Sequence, residues 1–302
     1  MRVLFVASYN KKRFAPFIIE QAEALRREGC EVEFFGVEGK GIWGYLKTLP
    51  LLNAKIKSFS PDIVHAHYGL CGLLAGLQRR VPVVTTYHGS DINLKSVRPL
   101  SKMAMVLSRH NVFVSKKIQL IAGSAKSYSL IPCGVDLTDS QIVEKDAARG
   151  LMGLSFNTKY VLFAGAFDNA VKNYPLAQST MALVPDAELL ELKGYTREQV
   201  TLLMCAADAF LMTSISEGSP QVIKEAMACG CPIVSVDVGD VAELADGVEG
   251  CFVCSRDVTL LAEALREAML VGRTDGRSRI LERGLDNKLI AGKLISIYNS
   301  II

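Results

Sequence analysis

The sequence predicts an α/β protein built from two doubly wound, parallel-sheet (Rossmann-like) domains. Short apolar runs alternate with segments of helical periodicity along the whole chain, which is the pattern of parallel sheets covered by helices on both faces. The chain has 302 residues, more than one hydrophobic core usually serves, so two domains are expected. Half of the residues are apolar and 22% are charged, as in ordinary globular proteins.

The first half begins with a strand, RVLFVA, and a helix, APFIIEQAEALRREG, that stops at Gly29. A second strand, EVEFFGV, precedes the helical stretch WGYLKTLPLLNAKIKSF, which we expect to be broken near Pro50 because proline removes a helix hydrogen bond. The strand series continues with DIVHAH, VPVVTTYHG and NVFVS, and SYSLIPCGVD closes this half.

The second half repeats the alternation. Its expected strands are YVLFAGAF, AELLELKG, DAFLMTS and PIVSVDVG. Its expected helices are YPLAQSTMALV, TREQVTLLMCAA with Thr196 as N-cap, a helix after Gly218, DVTLLAEALREAMLVG and the amphipathic NKLIAGKLISIYNSII. We therefore expect domains at residues 1–145 and 146–285, and a C-terminal helix over 286–302.

Charge is distributed unevenly between the two halves. Residues 1–150 contain 21 basic and 12 acidic side chains, a net charge of +9, whereas residues 151–302 have a net charge of −6. This asymmetry predicts a basic face that meets an anionic partner, the alternative being a scatter of solvated charges. The N-terminal segment has no signal-peptide pattern and no segment is apolar enough to span a membrane, so we expect a cytoplasmic protein that could lie on a membrane surface.

Cysteines and histidines could bind metal, but their spacing does not favour it. Eight cysteines in a cytoplasmic chain are expected to be small core residues, and the CxxC at Cys251 and Cys254 has no second pair to complete a zinc ribbon. GCFVC resembles a strand that would point these two thiols to opposite faces. His65 and His67 share one strand face without an acidic cluster, so we expect them to line the wall of a cleft and not to bind metal.

A dinucleotide-binding motif is present only in form. The residues from Gly39 to Gly44 match GxGxxG and would indicate a nicotinamide cofactor. That fingerprint belongs after the first strand of its unit, with an acid ending the following strand. Here it follows the second strand, and Asp62 opens the third strand instead of ending it, so the dehydrogenase hypothesis is disfavoured.

The stretch EGSPQVIKEAMACGCP combines a loop, a helix start and two carboxylates. We expect Ser219 as N-cap, Pro220 as the first helical residue and a helix that ends before Gly230. Its free N–H groups and dipole favour an anion such as a diphosphate, and Gly218 lets that anion approach the backbone closely.

Glu217 precedes this helix and Glu225 lies more than one turn inside it, so the two carboxylates would contact different parts of one ligand through strong hydrogen bonds to hydroxyls. The alternative is that Glu217 caps the helix and Glu225 is a solvated surface residue. Because ligands of parallel sheets bind beyond the carboxyl ends of the strands, we expect the site in a cleft between the domains.

These motifs together resemble the retaining GT-B glycosyltransferases of family four. The stretch from Glu217 resembles the family's E-x7-E motif, and CAADAFLMTSISEGSPQVIKEAMACGCPIVSVDVGDVAEL resembles its C-terminal signature. PDIVHAH, TTYHGSD and IPCGVD occur in the family's order, and the last helix with Tyr298 resembles the helix that crosses back to the first domain. The resemblance implies a GT-B fold and is nearest to short enzymes of bacterial surface-polysaccharide assembly.

The resemblance also implies residue roles in binding the donor. Glu217 would contact hydroxyls of the transferred sugar, and Glu225 would hold the nucleotide ribose. The amides of Gly218, Ser219, Pro220 and Gln221 would line the sugar and the phosphates. The remaining residues implied are Lys172 for the diphosphate, Gly165 beside it, Gly194 and Tyr195 near the base, and His88 and Asp91 near the reacting sugar.

Two positions depart from the family pattern. Ala166 follows Gly165 where the family usually has an arginine, and SYNKKRFAP replaces the glycine pair that often follows the first strand. The first change removes a cation from the site of the leaving group, and the second alters the place where the acceptor would bind.

The implied reaction moves a sugar from a nucleoside diphosphate, UDP first and GDP next, to an acceptor hydroxyl with retention and without a metal, a cofactor or nucleic acid. An acceptor carried on a lipid diphosphate at an anionic membrane would account for the basic first half. A nucleotide-sugar epimerase of the same architecture, or a catalytically weak binding subunit, remains an alternative.

Overall fold

A computed structural model describes residues 1–137 and 142–302. The chain divides into two compact units, one formed by Met1–Gly134 with Asn287–Ile302 and the other by Val135–Asp286. The division lies before the boundary expected after residue 145, and the C-terminal helix belongs to the first unit. Within the described residues, no helix has both the length and the apolar character that crossing a membrane requires.

The first unit contains one sheet of six strands in the order β2-β1-β3-β4-β5-β6. All pairings within it are parallel. The strands are β1 (Arg2–Ser8), β2 (Glu31–Val37), β3 (Ile63–His67), β4 (Val83–Tyr87), β5 (His110–Phe113) and β6 (Tyr128–Leu130). The helices are α1 (Pro16–Arg27), α2 (Gly41–Leu46), α3 (Leu49–Phe59), α4 (Gly69–Gly76), α5 (Ser90–Asn93), α6 (Arg98–Leu107), α7 (Lys116–Ala122) and the C-terminal α15 (Asn287–Ile301).

The second unit contains five parallel strands in the order β11-β10-β9-β7-β8. The strands are β7 (Lys159–Phe163), β8 (Ala187–Glu191), β9 (Ala209–Met212), β10 (Ile233–Val236) and β11 (Cys251–Cys254). The helices are α8 (Lys145–Met152), α9 (Tyr174–Ala182), α10 (Arg197–Ala206), α11 (Gln221–Ala228), α12 (Val241–Ala245), α13 (Val258–Val271) and α14 (Gly276–Glu282), with a 3₁₀ turn at Ala170–Lys172. The predicted pair of parallel α/β sheets is therefore confirmed.

Several local predictions are also confirmed. Thr196 caps α10 through a complete capping box with Gln199, so both side chains satisfy amide groups at the helix start. The break near Pro50 separates α2 from α3, and Cys251–Cys254 is a strand with both thiols free.

The glycines of the GxGxxG match have a structural explanation. A Cβ on Gly39 would lie 2.6 Å from the backbone of Gly44, so the two glycines let the chain pack against itself. Asn10 holds this turn by accepting from the Gly39 amide and donating to its carbonyl. The helix that follows has only six residues. These contacts give the glycines a packing role without a nucleotide.

Helix α4 was not expected from the sequence, and glycine determines how it packs. A Cβ on Gly72 would lie 2.5 Å from Thr85, and one on Gly69 would lie 2.0 Å from the Ser101 hydroxyl. The helix therefore lies directly against β4 and α6, closer than any side chain would allow. Its sequence, GLCGLLAG, is apolar on all sides and shows no helical stripe, which hides the helix from periodicity.

Candidate active site

The loops that contain most of the predicted donor-binding residues follow three neighbouring strands of the second unit. Strands β8, β7 and β9 are adjacent and parallel, so the loops after their carboxyl ends emerge at one edge of the sheet. The chain turns to opposite sides after β7 and β9, which makes the gap between them the topological switch point of this sheet. Ligands of open α/β sheets bind at such points.

Lys172 and Glu217 meet at this switch point. The Lys172 Nζ donates to Glu217 Oε1 at 2.8 Å, and both side chains are about four-fifths buried, with exposures of 18% and 19%. The stem of Lys172 lies on Gly165, where a Cβ would be 2.9 Å from the lysine Cγ. The structure thus brings Glu217 together with Gly165 and Lys172, which the sequence placed in a different motif.

The backbone on both sides of this ion pair is held by hydrogen bonds between the two loops. Thr213 donates to the carbonyls of Lys172 and Asn173, at 2.9 and 3.0 Å. The Ile215 amide donates to the Val171 carbonyl at 2.8 Å. The lysine and the glutamate are therefore positioned by fixed backbone as well as by each other.

The start of α11 differs from the prediction. The helix begins at Gln221 with Pro220 as N-cap, so the expectation that Ser219 caps it is wrong. The Ser219 hydroxyl instead donates to Asp240 Oδ2 and accepts from Lys224 Nζ, each at 2.6 Å. Proline supplies no N–H, and the loop is held by these side-chain contacts instead of by a serine cap.

Glycine at position 239 lets the next loop lie against this segment. Gly239 has φ +59°, and a Cβ there would lie 2.9 Å from the Gly218 carbonyl oxygen and from the Pro220 ring. The end of the loop between β9 and α11, which spans residues 213–220, thus packs against the loop that follows β10.

Glu225 lies inside α11 and forms an ion pair. Its Oε1 accepts from Arg197 at 2.8 Å, and the carboxylate side chain is only 12% exposed. The alternative that Glu225 is a solvated surface residue is therefore wrong. Arg197 begins α10, directly after the loop that contains Gly194, with φ +83°, and the exposed Tyr195.

Ala166 stands where the family usually has an arginine, and the residue after it takes part in aromatic packing. The Phe167 ring stacks on Tyr174 with a centroid separation of 4.1 Å. The Phe167 amide donates to Glu191 Oε1 at 2.6 Å. Lys172 is the cation that the β7 loop directs at Glu217.

In the first unit, three histidines form a column. The imidazoles of His65 and His67 stack at 4.6 Å, and those of His67 and His88 at 5.4 Å. His67 Nδ1 and His88 Nε2 are 3.1 Å apart, and His65 bonds to Thr86 and to the Tyr298 hydroxyl of α15. Both His65 and His67 are fully buried, so the expectation that they line a cleft wall is wrong.

Burial keeps His65 and His67 neutral. It lowers the pKa of His65 to about 3 and that of His67 well below its usual value, with smaller contributions to the latter from the neighbouring imidazoles. A neutral imidazole donates from one nitrogen and accepts at the other, so Nδ1 of His67 can either donate to His88 Nε2 or accept from it.

Asp91 lies close to His88 in the chain but is buried. Its Oδ1 accepts from the amides of His88 and Gly89 at 3.1 and 2.9 Å, and its Oδ2 accepts from the Gly69 amide at 3.0 Å. Burial raises its pKa to about 6 against the lowering effect of these hydrogen bonds. Asp91 therefore holds the loop that presents His88, and joins it to the start of α4.

Sequence reasoning missed Lys224, Arg197 and the partnership of His65 with Tyr298. A signal existed for Lys224, since it shares the inner face of α11 with Ile223 and Met227 and is fully buried. A lysine at such a position requires a partner. The other two contacts join segments far apart in the chain and have no local signal.

Two α/β units with parallel sheets, together with this arrangement of loops at a switch point, define a GT-B type protein. Two family profiles match the chain: Glycosyltransferase Family 4 over residues 15–139 and Glycosyl transferases group 1 over residues 175–270. Together they cover well over half of the chain, which belongs to the group 1, family four glycosyltransferases.

Curated relatives agree with this assignment. TuaC of Bacillus subtilis, a glycosyltransferase named for teichuronic acid biosynthesis, is 26% identical over 245 residues, which cover 71% of this chain and 63% of TuaC. The UDP-Gal:alpha-D-GlcNAc-diphosphoundecaprenol alpha-1,3-galactosyltransferase of Escherichia coli is 26% identical over 82% of this chain and 75% of its own length. The chain thus spans somewhat under two thirds of TuaC.

Solved structures share the fold. The sucrose-phosphate synthase of Thermosynechococcus elongatus superposes with a TM-score of 0.86 at 16% identity, covering 99% of this chain and 98% of its own. Anabaena HepE in complex with UDP-glucose superposes with a TM-score of 0.76 at 17% identity, covering 99% and 100%. At these identities the likeness establishes the architecture.

Proposed function

We propose that this protein transfers a sugar from a nucleoside diphosphate sugar to an acceptor hydroxyl, with retention of anomeric configuration. The observation that carries the proposal is the Lys172–Glu217 pair at the switch point, next to the start of α11. A cation and helix amides favour a diphosphate, and a carboxylate favours sugar hydroxyls. The site therefore combines the two kinds of group that a sugar diphosphate offers.

The diphosphate is the leaving group in this proposal, and negative charge grows on it as the sugar bond breaks. Lys172 and the amides at the start of α11 stabilise that charge because they are already oriented toward it. Glu217 holds the sugar and, through its bond to Nζ, holds the lysine in place before donor binds.

UDP is the proposed nucleotide, and a lipid-linked glycan is the proposed acceptor. HepE was crystallised with UDP and with UDP-glucose, and the Escherichia coli relative is named for a diphosphoundecaprenol-linked acceptor. We propose that the protein is a cytoplasmic enzyme of surface-polysaccharide synthesis that binds peripherally to the membrane. We also propose that it requires no metal. Glu225 would bind the ribose, with Gly194 and Tyr195 beside the base.

Nucleotide release from a panel of UDP- and GDP-sugars, with and without extracted lipid-linked acceptor, tests the proposal. We expect one donor to release nucleotide in an acceptor-dependent manner, and Lys172→Ala and Glu217→Ala each to lower the rate by at least about tenfold. Lys159→Ala is the matched control, because Lys159 is exposed at the amino end of β7, away from the edge of the sheet where the site lies.

Near wild-type rates in both site variants would refute the assignment of the site. If the enzyme converted the donor to an epimer in the absence of acceptor, epimerisation would replace sugar transfer as the proposed activity. Proton NMR of the product, read at the anomeric signal, tests retention: an inverted linkage would contradict it.

A further inference from the structure

The part of the first unit that follows β3 has an extreme charge balance. Residues 63–134 contain nine lysine and arginine side chains and a single carboxylate, Asp91. That carboxylate is only 4% exposed and accepts hydrogen bonds from three backbone amides. The solvent-facing surface of this region therefore has basic side chains and no acidic ones.

Two adjoining cavities open on this surface, and both are lined by basic residues. One, of about 440 Å³, is lined by Lys102, Arg109 and Lys126 among others. The second, of about 420 Å³, is lined by Arg79, Arg80 and Arg109. Neither lining contains an acidic residue.

Apolar side chains are exposed between these cations. Val106 lines both cavities and is 85% exposed, and Met103, one turn earlier on α6, is 53% exposed. Leu120 on α7 and Leu130 on the edge strand β6 are 67% and 45% exposed. We name the surface formed by residues 78–82, α6, the end of α7, the loop 123–127 and β6 the basic face.

We infer that the basic face docks on an anionic lipid bilayer, with lipid phosphates at the cation-lined cavities and the exposed apolar side chains of α6 at the headgroup boundary. Interleaved cations and apolar side chains on one surface are the pattern of interfacial membrane binding. A soluble anion would account for the cations but not for exposed Val106. The inference names the surface that serves the membrane association proposed above.

Sedimentation of the full chain with vesicles of phosphatidylcholine, with and without phosphatidylglycerol, tests the inference. We expect binding only to the anionic vesicles and loss of binding as salt is raised. Lys102→Glu combined with Lys126→Glu should weaken vesicle binding by on the order of 25-fold or more, at about fivefold for each cation removed from the surface. Lys40→Glu with Lys57→Glu makes the same charge change elsewhere in this unit and should weaken it much less.

A single tryptophan placed on α6 reports the location directly. The chain has one tryptophan, the exposed Trp43, so Val106→Trp in a Trp43→Phe background gives one fluorophore. We expect its emission to shift to shorter wavelength with anionic vesicles and not with neutral ones. The inference is overturned if both charge variants weaken vesicle binding equally. It is also overturned if the protein sediments with vesicles while the emission of the tryptophan on α6 does not shift.

Sugar transfer to a soluble acceptor separates this inference from the proposed function. The basic-face variants should keep that rate, because none of these residues lies in the second unit's site. If wild-type protein fails to sediment with any vesicle, the membrane association fails and sugar transfer is untouched.

A buried network beneath the β9–α11 loop carries a second, independent inference. Lys224 is fully buried, its Nζ donates to Ser219, and Ser219 donates to Asp240 Oδ2, which lies 4.0 Å from Nζ. Asp240 Oδ1 is buried without a hydrogen-bond partner among the described residues. Burying a lysine and a carboxylate costs more than apolar packing would, so stability alone does not explain the pair.

We infer that Lys224 and Asp240 are positioning residues that fix where the β9–α11 loop lies relative to the bound donor. Ser219 joins them near the end of that loop, and Gly239, next to Asp240, lies so close to Gly218 that a Cβ on it would be 2.9 Å from the Gly218 carbonyl oxygen. The network thus connects this loop both to α11, through Lys224, and to the loop after β10, through Asp240.

Lys224→Gln with Asp240→Asn keeps the shape and removes both charges. We expect the dissociation constant for UDP, by calorimetry, to rise at least about tenfold, because the amides of the loop lose their alignment. Arg149→Gln with Asp208→Asn is the matched control, a buried ion pair at 2.7 Å in the same unit that does not touch this loop.

The two double variants separate positioning from stability. The control should lower the melting temperature and leave the UDP dissociation constant within about twofold of wild type. Equal UDP affinity in both double variants overturns the inference. Should the first variant fail to fold, Ser219→Ala, which cuts the same link without burying a new group, replaces it and should raise the UDP dissociation constant.

Discussion

Gly165→Ala should lower donor turnover through Lys172 alone. The added Cβ would lie 2.9 Å from Lys172 Cγ, 3.1 Å from Cε and 3.3 Å from Cδ. Carbon atoms in contact are ordinarily about 3.5–4.0 Å apart, so the lysine stem has to move away. That movement takes Nζ from its 2.8 Å contact with Glu217 Oε1.

The magnitude follows from the bond that is lost. A hydrogen bond to a charged group contributes about 1.5–3 kcal/mol, which corresponds to about 10- to 150-fold in kcat/KM for the donor. Stability should change less than activity, because a flexible lysine stem can yield more easily than backbone. The assay is kcat/KM for nucleotide release, measured on the donor selected by the panel.

A double-mutant cycle decides whether the effect runs through Lys172. In a Lys172→Ala background, Gly165→Ala should lower kcat/KM by less than about threefold, since there is no stem left to displace. Any strain that alanine causes in the backbone at position 165 is present both in the wild-type and in the Lys172→Ala background, so the cycle removes it. Equal losses in the two backgrounds would refute the reasoning and place the effect in the backbone.

Three further predictions concern support of the loops and the histidine column. Gly239→Ala should raise the UDP dissociation constant at least about fivefold by pushing on the β9–α11 loop, and should cost about 1 kcal/mol of stability at its φ of +59°, measured by calorimetry and denaturant unfolding. Tyr298→Phe should lower the free energy of unfolding by about 1–3 kcal/mol, because it removes the partner of buried His65. Lowering the pH from 7 to 5 should destabilise the protein. The pKa values of His65 and His67 are lowered on folding, so below pH 6.5 only the unfolded chain gains these two protons. The pKa of Asp91 is raised to about 6, so the folded chain binds a proton there first, which offsets the effect of one histidine. The net slope, on the order of 1 kcal/mol per pH unit, is checked by urea unfolding, and a protein equally stable at pH 5 would contradict it.

The order of strands and helices could be predicted because the information is local. The apolar run at 160–163 and the capping box at Thr196 each state their structure within a few residues. Helix α4 shows the limit, because its glycines serve contact with Thr85 and Ser101, partners that only the folded chain reveals.

The site was predictable as a set of residue types and not as a set of partners. Glu217 follows β9, whereas Gly165 and Lys172 follow β7, and their meeting depends on β7 and β9 being neighbours. Ser219 has the chemistry of an N-cap, but Asp240 and Lys224 compete successfully for its hydroxyl. Such competition between a local and a distant partner cannot be judged without coordinates.

The placement of α15 has a consequence for biosynthesis. Its inner face, with Ile290, Leu294 and Tyr298, completes a core begun by Ala22 and Leu25 of α1. On the ribosome, residues 135–286 are made before α15. The first unit therefore keeps an exposed hydrophobic groove while those residues emerge and fold as the second unit. The part of the chain that is made first therefore completes its fold last, and deletion of α15 should leave it with an exposed hydrophobic groove.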